Sequence, residues 1–320
     1  MTGAATPNVV ANDALPLAGI DGSSPLGFLA ALGILHALTR HSLNQCRRGA
    51  AITLAWQSVE GRWQPTIAGG GRDANELLSQ LQSALLASDG APWSLDKKLP
   101  FDAVRLREAV GASVSAATYA NRESVDVLAS FGVESLRDTE GAFLDTSLRM
   151  VRAGDSAGQG LLAYAARIRE NTTWDDLRNA LFNTWEYTDE DCALRWDPVE
   201  NRSYALRWRD PSKDRTESVR AANRLAIEAM AALPTVPVGH KVKTTGFGLP
   251  DGKTTSLTWP IWQASACMDV VQSLLTQPEL QKERPDALAL TYRGVAAVYR
   301  SDRIRTSKYY SNFTPARRIA

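Results

Sequence analysis

A serine between glycines, followed along the chain by an acid and a histidine, could form a hydrolytic triad. Gly154-Asp155-Ser156-Ala157-Gly158 matches the G-x-S-x-G turn that exposes a nucleophilic serine at the top of an α/β-hydrolase sheet. Asp197 or Asp210 could orient the base, and His240 could take the proton from Ser156. The surroundings argue against this chemistry. Asp145 to Arg152, DTSLRMVR, carries two arginines and makes a poor buried strand. No His-Gly-Gly oxyanion segment precedes the turn, because Gly69-Gly70-Gly71 follows Ala68. The simpler reading is a Gly/Ser/Ala loop before a helix that starts near Leu161. A serine hydrolase using Ser156 stays as an alternative; the leading expectation is a protein that is not an enzyme.

Other chemistries find less support. The stretch GIDGSSPLGFLAALGIL (19–35) resembles a phosphate-cradling loop running into a helix, but Gly22-Ser23-Ser24-Pro25 lacks the Gly-Lys-Ser/Thr ending of a Walker loop. Its Ser24 suits an N-cap and Pro25 the first helical position. The small residues Ala30, Ala31 and Gly33 would let a second element approach closely. His36, His41 and His240 have no metal-ligand spacing with a carboxylate. Cys46, Cys192 and Cys267 are far apart and odd in number, so neither a zinc site nor a disulfide framework is expected. Asp175-Asp176 and Asp189-Glu190-Asp191 read as solvated faces. No cofactor is expected.

Net charge is only +1, so attraction for a polyanion must come from local patches. Three patches stand out. From Tyr292 to Ala320, the basic residues Arg293, Arg300, Arg303, Arg305, Lys308, Arg317 and Arg318 face one acid, Asp302, and alternate with Tyr299, Tyr309, Tyr310 and Phe313. Cations that neutralise phosphates and rings that stack on bases are the ingredients of single-strand binding. A second patch holds Arg202, Arg207, Arg209, Lys213, Arg215, Arg220 and Arg224. The third is His240 to Gly248 continuing to Lys253, with Lys241, Lys243 and Lys253 positioned to reach phosphate and Gly246 and Gly248 permitting close backbone approach. The alternative is a protein–protein scaffold whose basic residues pair internally with acids such as Asp197, Glu200, Asp210 and Asp214.

The elements that must position these patches read as an α+β fold, with mixed helices and antiparallel hairpins in two loosely separated halves. The 320 residues can bury a sizeable core, and 44% apolar with 22% charged residues is a globular composition. Strand character is expected at 15–20 and a hairpin over 51–68 broken at Glu60-Gly61. Helices are expected over 25–39, 73–86, 103–118, 122–130, 161–169, 174–183, 217–233 and 268–277. A further hairpin is expected over 238–259, turning around Leu249-Pro250-Asp251-Gly252, and a strand within 288–299. RAGDSAGQG (152–160) is the candidate break between an N-terminal half, 1–151, and a C-terminal half, 161–320, that carries the basic patches. The apolar run Pro25 to Leu38 is shorter than the roughly eighteen residues a bilayer span needs. With no secretory pattern in MTGAATPNVVANDAL, a soluble cytoplasmic protein without membrane contact is expected.

Three segments carry a family resemblance. Leu17 to Leu35, with Pro25-Leu26-Gly27-Phe28-Leu29-Ala30-Ala31-Leu32-Gly33-Ile34-Leu35, resembles the N-terminal signature of subunits of type I CRISPR effector (Cascade) complexes, particularly the type I-G (formerly I-U) group. Arg195-Trp196-Asp197-Pro198 to Arg207-Trp208-Arg209-Asp210-Pro211 is similar to a segment of the same group, as is Ala221 to Ala226 with the proline-rich turn beyond it. The resemblance covers under a quarter of the chain. It implies a non-catalytic, large-subunit-like component of a ribonucleoprotein that recognises a protospacer-adjacent motif and stabilises the R-loop. The implied partners are CRISPR RNA, target DNA, other Cascade subunits and a helicase-nuclease recruited in trans. In such a complex guide pairing reads the target while protein reads shape, phosphates and a few base edges. The chain is short for that subunit type. The nucleic-acid contacts expected are Arg202, Arg207, Arg209, Lys213, Arg215, Lys241, Lys243, Lys253, Arg300, Arg303, Arg305, Lys308, Tyr309 and Tyr310.

Overall fold

The computed structural model describes residues 14–45, 51–119, 121–152, 158–200 and 217–320. The triad candidate Ser156 and the basic residues Arg202, Arg207, Arg209, Lys213 and Arg215 lie outside the described residues.

The described residues form an α+β fold. A short strand, β1 (Leu15–Pro16), leads through a turn into α1 (Pro25–Asn44). Ser24 caps α1, its Oγ accepting from the Gly27 amide at 2.9 Å, with Pro25 in the first turn as expected. The helix continues five residues past the expected end at Thr39, and it is long and apolar enough to cross a membrane by length and composition. Most of that apolar window is instead buried against the rest of the protein. Hairpin strands β2 (Thr53–Val59) and β3 (Arg62–Ala68) turn at Glu60 and Gly61, both with positive φ, and β3 pairs β1 to complete a three-stranded sheet. Then come α2 (Ala74–Leu86), α3 (Ala103–Ala116), α4 (Glu123–Phe131) and the two-stranded pair β4 (Gly132–Arg137) and β5 (Phe143–Asp145).

Beyond the expected break, α5 (Leu161–Asn171), α6 (Trp174–Phe182) and α7 (Arg220–Ala229) precede a second two-stranded sheet, β6 (Thr235–Val238) with β7 (Lys241–Thr244). β8 (Phe247–Gly248) and β9 (Ser256–Trp262) belong to the largest sheet. After α8 (Met268–Leu275) and α9 (Ala287–Thr291), β10 (Val295–Arg305) forms the spine of that sheet, in the order β11-β10-β9-β8. β11 (Ser311–Phe313) and β12 (Arg317–Arg318) both pair with β10.

The single hairpin expected over 238–259 is therefore two. β6 and β7 turn at Gly239-His240, whereas β8 and β9 enclose the turn around Pro250. The consequence is that Lys241 and Lys243 lie on one small sheet and Lys253 on the turn of another.

Helix α1 meets α7 where small residues remove the barrier between backbones. A Cβ at Gly33 would collide with the Leu225 carbonyl, so only glycine allows this crossing. Ala221 to Ala229 are buried without exception, so one hydrophobic core takes residues from both expected halves. An aromatic group of Phe28, Trp56, Trp259 and Trp262 extends that core onto the main sheet, and Trp259 donates its indole N–H to the Gly22 carbonyl at 2.8 Å.

Buried charge sits where α2 ends against α1 and α7. A helix C-terminus leaves carbonyls without intrahelical donors and favours cations. Arg40 donates to the Ala84 carbonyl at 2.7 Å, Arg224 to Leu85 at 3.1 Å and Arg169 to Ser88 at 2.9 Å. Glu123 and Glu228 neutralise these guanidiniums: Arg40 pairs with Glu123, Arg224 pairs with Glu228, and Arg169 lies 3.1 Å from Glu228. Burial pushes the Glu228 carboxyl up, but Arg224, Arg40 and Arg169 outweigh it and hold it down at about 2. His36, partly buried on α1, is lowered chiefly by burial.

Candidate nucleic-acid interface

Alternation along β10 divides the C-terminal arginines between two sides. Successive strand residues face opposite ways, and Arg300 is on the inner side at 2% exposure. Its guanidinium donates to Thr258 Oγ1 and to the carbonyls of Leu280, Lys282 and Glu283. Arg300 thus closes the segment after α8 onto the sheet, and its expected role as a surface contact is corrected by this burial. Asp302 shares that side, where Arg317 pairs with it at 2.7 Å.

Arg303 and Arg305 point the other way, into a cleft of about 320 Å³ completed by Lys308, Ser307, Tyr310 and Arg152. Two backbone features build it. The tight connection between β10 and β11 is closed by the Thr306 and Ser307 amides donating to the Tyr310 carbonyl, while Arg305 fastens the same turn through the Ser307 and Lys308 carbonyls. The segment before Arg152 then adds to the outside of β11. Arg152 N–H donates to the Tyr309 carbonyl at 2.7 Å and Ser311 N–H to the Met150 carbonyl at 2.9 Å. Leu148, Met150 and Val151 are buried, which anchors this edge and leaves Arg152 exposed at the cleft.

Electrostatically the cleft is one-sided. Arg149 is paired to Asp145 at 2.7 Å. Arg303 is mostly buried; burial first, then Arg152 and Arg149, hold its guanidinium down at about 10 despite the opposing pull of Asp145. That departure disfavours the charged form by about 3 kcal/mol. Arg303 Nη2 donates to the Arg149 carbonyl at 3.0 Å, while its buried Nε has no acceptor among the described residues. A charge-assisted hydrogen bond contributes roughly 1.5–3 kcal/mol, so an anion on Arg303 would offset a cost of that size.

Rings and cations alternate around the cleft. The Arg195 guanidinium lies 4.2 Å from the Tyr310 ring centroid, Lys308 lies 5.3 Å from that of half-exposed Tyr309, and Arg167 lies 5.2 Å from that of Tyr164 on α5. Burial pushes the Tyr164 hydroxyl up, with Tyr310 contributing. Tyr309 and Tyr310, singled out from the sequence, thus join Arg303, Arg305 and Lys308. Arg152 and Arg195 come to the same region from distant parts of the chain.

The lysine hairpin forms a separate basic surface. Opposite residues in β6 and β7 share a face, so Val236 stands beside Lys243 and Val238 beside Lys241. All four side chains are exposed. The hairpin is tied down at its other face through the Thr244 hydroxyl, which lies 3.0 Å from that of Thr235 and 3.2 Å from that of Thr146. Lys253 lies outside this ribbon, in a turn organised by Asp251, which accepts the Lys253 amide at 2.9 Å.

The second sequence patch loses two members to the interior or to local pairing: Arg224 is buried with Glu228, and Arg220 pairs with Asp189 at 2.5 Å. Asp197, a candidate triad acid, is buried and accepts from Tyr187 Oη at 2.8 Å and from the Val199 amide at 2.9 Å. Burial raises its carboxyl above the usual range, and exposed His240 caps the lysine hairpin. Among the described residues no three His, Cys, Asp or Glu side chains gather as a metal site.

Comparison of the chain with protein-family models, curated proteins and solved structures finds no match.

Proposed function

We propose that the chain is a non-catalytic, nucleic-acid-binding subunit of a type I CRISPR effector (Cascade) complex, acting in the cytoplasm in adjacent-motif recognition and R-loop stabilisation. The observation that carries nucleic-acid binding is the cleft in which Arg152, Arg303, Arg305 and Lys308 converge beside Tyr309 and Tyr310. Such a surface offers cations to a phosphate backbone and rings to unstacked bases, with no need for overall positive charge. The CRISPR setting rests on the sequence resemblance. CRISPR RNA, target DNA, other Cascade subunits and a helicase-nuclease recruited in trans are the partners that setting supplies.

Two surfaces divide the work. The β10–β11 cleft suits a single strand, either displaced DNA or guide RNA. The β6–β7 hairpin suits duplex DNA, because a major groove admits a two-stranded ribbon and this one presents Lys241 and Lys243 beside two exposed valines. The full chain titrated at low salt with a labelled single strand and a labelled duplex tests both. Both probes are expected to bind, with Lys241→Glu/Lys243→Glu weakening the duplex about tenfold and sparing the single strand. Failure of the unmodified protein to bind either probe would overturn the proposal and favour a protein–protein scaffold.

A further inference from the structure

We propose that the β10–β11 cleft is a built receptor for one phosphate group of a nucleotide chain, seated between Arg152 and Arg303. This deepens the single-strand reading and rests on it for the source of the phosphate. The cleft is therefore more than a patch of surface charge.

Three observations support a defined anion position. Arg303 is largely enclosed, and its guanidinium is fixed in orientation by the bond from Nη2 to the Arg149 carbonyl, while Nε has no acceptor among the described residues. Arginine presents a planar fork matched to phosphate oxygens, so a fixed guanidinium selects geometry as well as charge. Second, Arg152 lines the same cleft from a different part of the chain and has no carboxylate partner among the described residues. Arg152 also borders a neighbouring cavity lined by Asp102, Asp138, Glu140 and Asp145, but Asp145 is engaged by Arg149 at 2.7 Å, and the strand's own Asp302 is bonded to Arg317 and Ser256. Third, the walls are held in place before any ligand arrives. Arg305 fastens the turn through two carbonyls, and Arg195 packs on Tyr310 at 4.2 Å. The volume, about 320 Å³, lies at the small end of the roughly 300–1,000 Å³ range of ligand sites. It leaves room for a phosphate and the adjoining sugar beside Tyr310.

A test uses the full chain with a labelled oligothymidylate, and separately with inorganic phosphate in a phosphate-free buffer. Arg303→Lys keeps the charge and removes the fork, whereas Arg152→Ala removes an exposed cation without disturbing the interior. Arg152→Ala is expected to weaken oligothymidylate about tenfold and to reduce the magnitude of the salt slope by about 0.7. Arg303→Lys is expected to weaken it about fivefold with the slope unchanged, a signature of lost geometry. Inorganic phosphate is expected to raise the melting temperature of the unmodified protein and of neither variant. Oligothymidylate binding at full strength in both variants would overturn the phosphate receptor while leaving nucleic-acid binding standing. Phosphate stabilisation confined to the unmodified protein, with no oligothymidylate binding, would support the receptor and overturn the nucleic-acid source.

Discussion

Glu228 sits among three guanidiniums and is held at about 2, whereas Arg303 sits between two other arginines and is held at about 10. Glu228 is buried with three guanidiniums against it, whereas half-buried Arg303 feels one acid, Asp145, which Arg149 already engages. The difference fixes the sign of two experiments. For Glu228 the folded value lies below the ordinary 4.5, so its stabilisation is present above pH 4.5 and is lost as pH falls towards 2. Stability measured by urea unfolding is expected to drop through that window, and Glu228→Gln is expected to remove that acid-side loss. At neutral pH the same substitution leaves Arg40, Arg169 and Arg224 with too little counter-charge and is expected to cost about 3–5 kcal/mol. Unchanged stability in Glu228→Gln would contradict the ion network. Arg300 carries the complementary lesson. Its charge read as a surface contact in the sequence, but four oxygen acceptors hold it inside.

At the scale of elements, the central contact is the crossing of α1 and α7. Gly33→Val would drive a branched side chain into the Leu225 carbonyl, where neither backbone can retreat without opening the core. Overpacking of this kind costs about 1–3 kcal/mol or more, readable as a lower urea midpoint; an unchanged midpoint would refute the crossing. Much of this level was legible from residues alone. Ser24-Pro25 marked the start of α1, Glu60-Gly61 marked the β2–β3 turn, and Ala30, Ala31 and Gly33 announced a close neighbour. The hairpin over 238–259 was misread because Pro250-Asp251-Gly252 is the stronger turn signal. Gly239-His240, which turns β6 into β7, is less conspicuous. The cleft was half legible. Arg303, Arg305, Lys308 and the tyrosines lie together in the sequence, but the strand period that turns Arg300 inward needed the register of β10. In the sequence Arg152 is only one of two arginines that make Asp145 to Arg152 a poor buried strand. Its place beside β11 comes from pairing between residues 310 and 151, which no local pattern reports.

For the whole molecule, the core that joins α1 to α7 bears on how the halves depend on each other. Segments 1–151 and 161–320 produced separately are expected to lack cooperative unfolding, because each would expose the face the other covers. A sharp thermal transition in either fragment alone would contradict that dependence. The same packing pairs Val151, the last residue of the first half, with Tyr310 and sets the adjoining Arg152 against the β10–β11 turn of the second, so the cleft exists only in the folded whole. The most direct measurement of the central claim is the salt dependence of the full chain's affinity for a single strand. With four cations converging on the backbone, the plot of log affinity against log salt is expected to fall with a slope of about −3. A flat plot would mean that the cleft does not take up nucleic-acid phosphate, and would contradict the account.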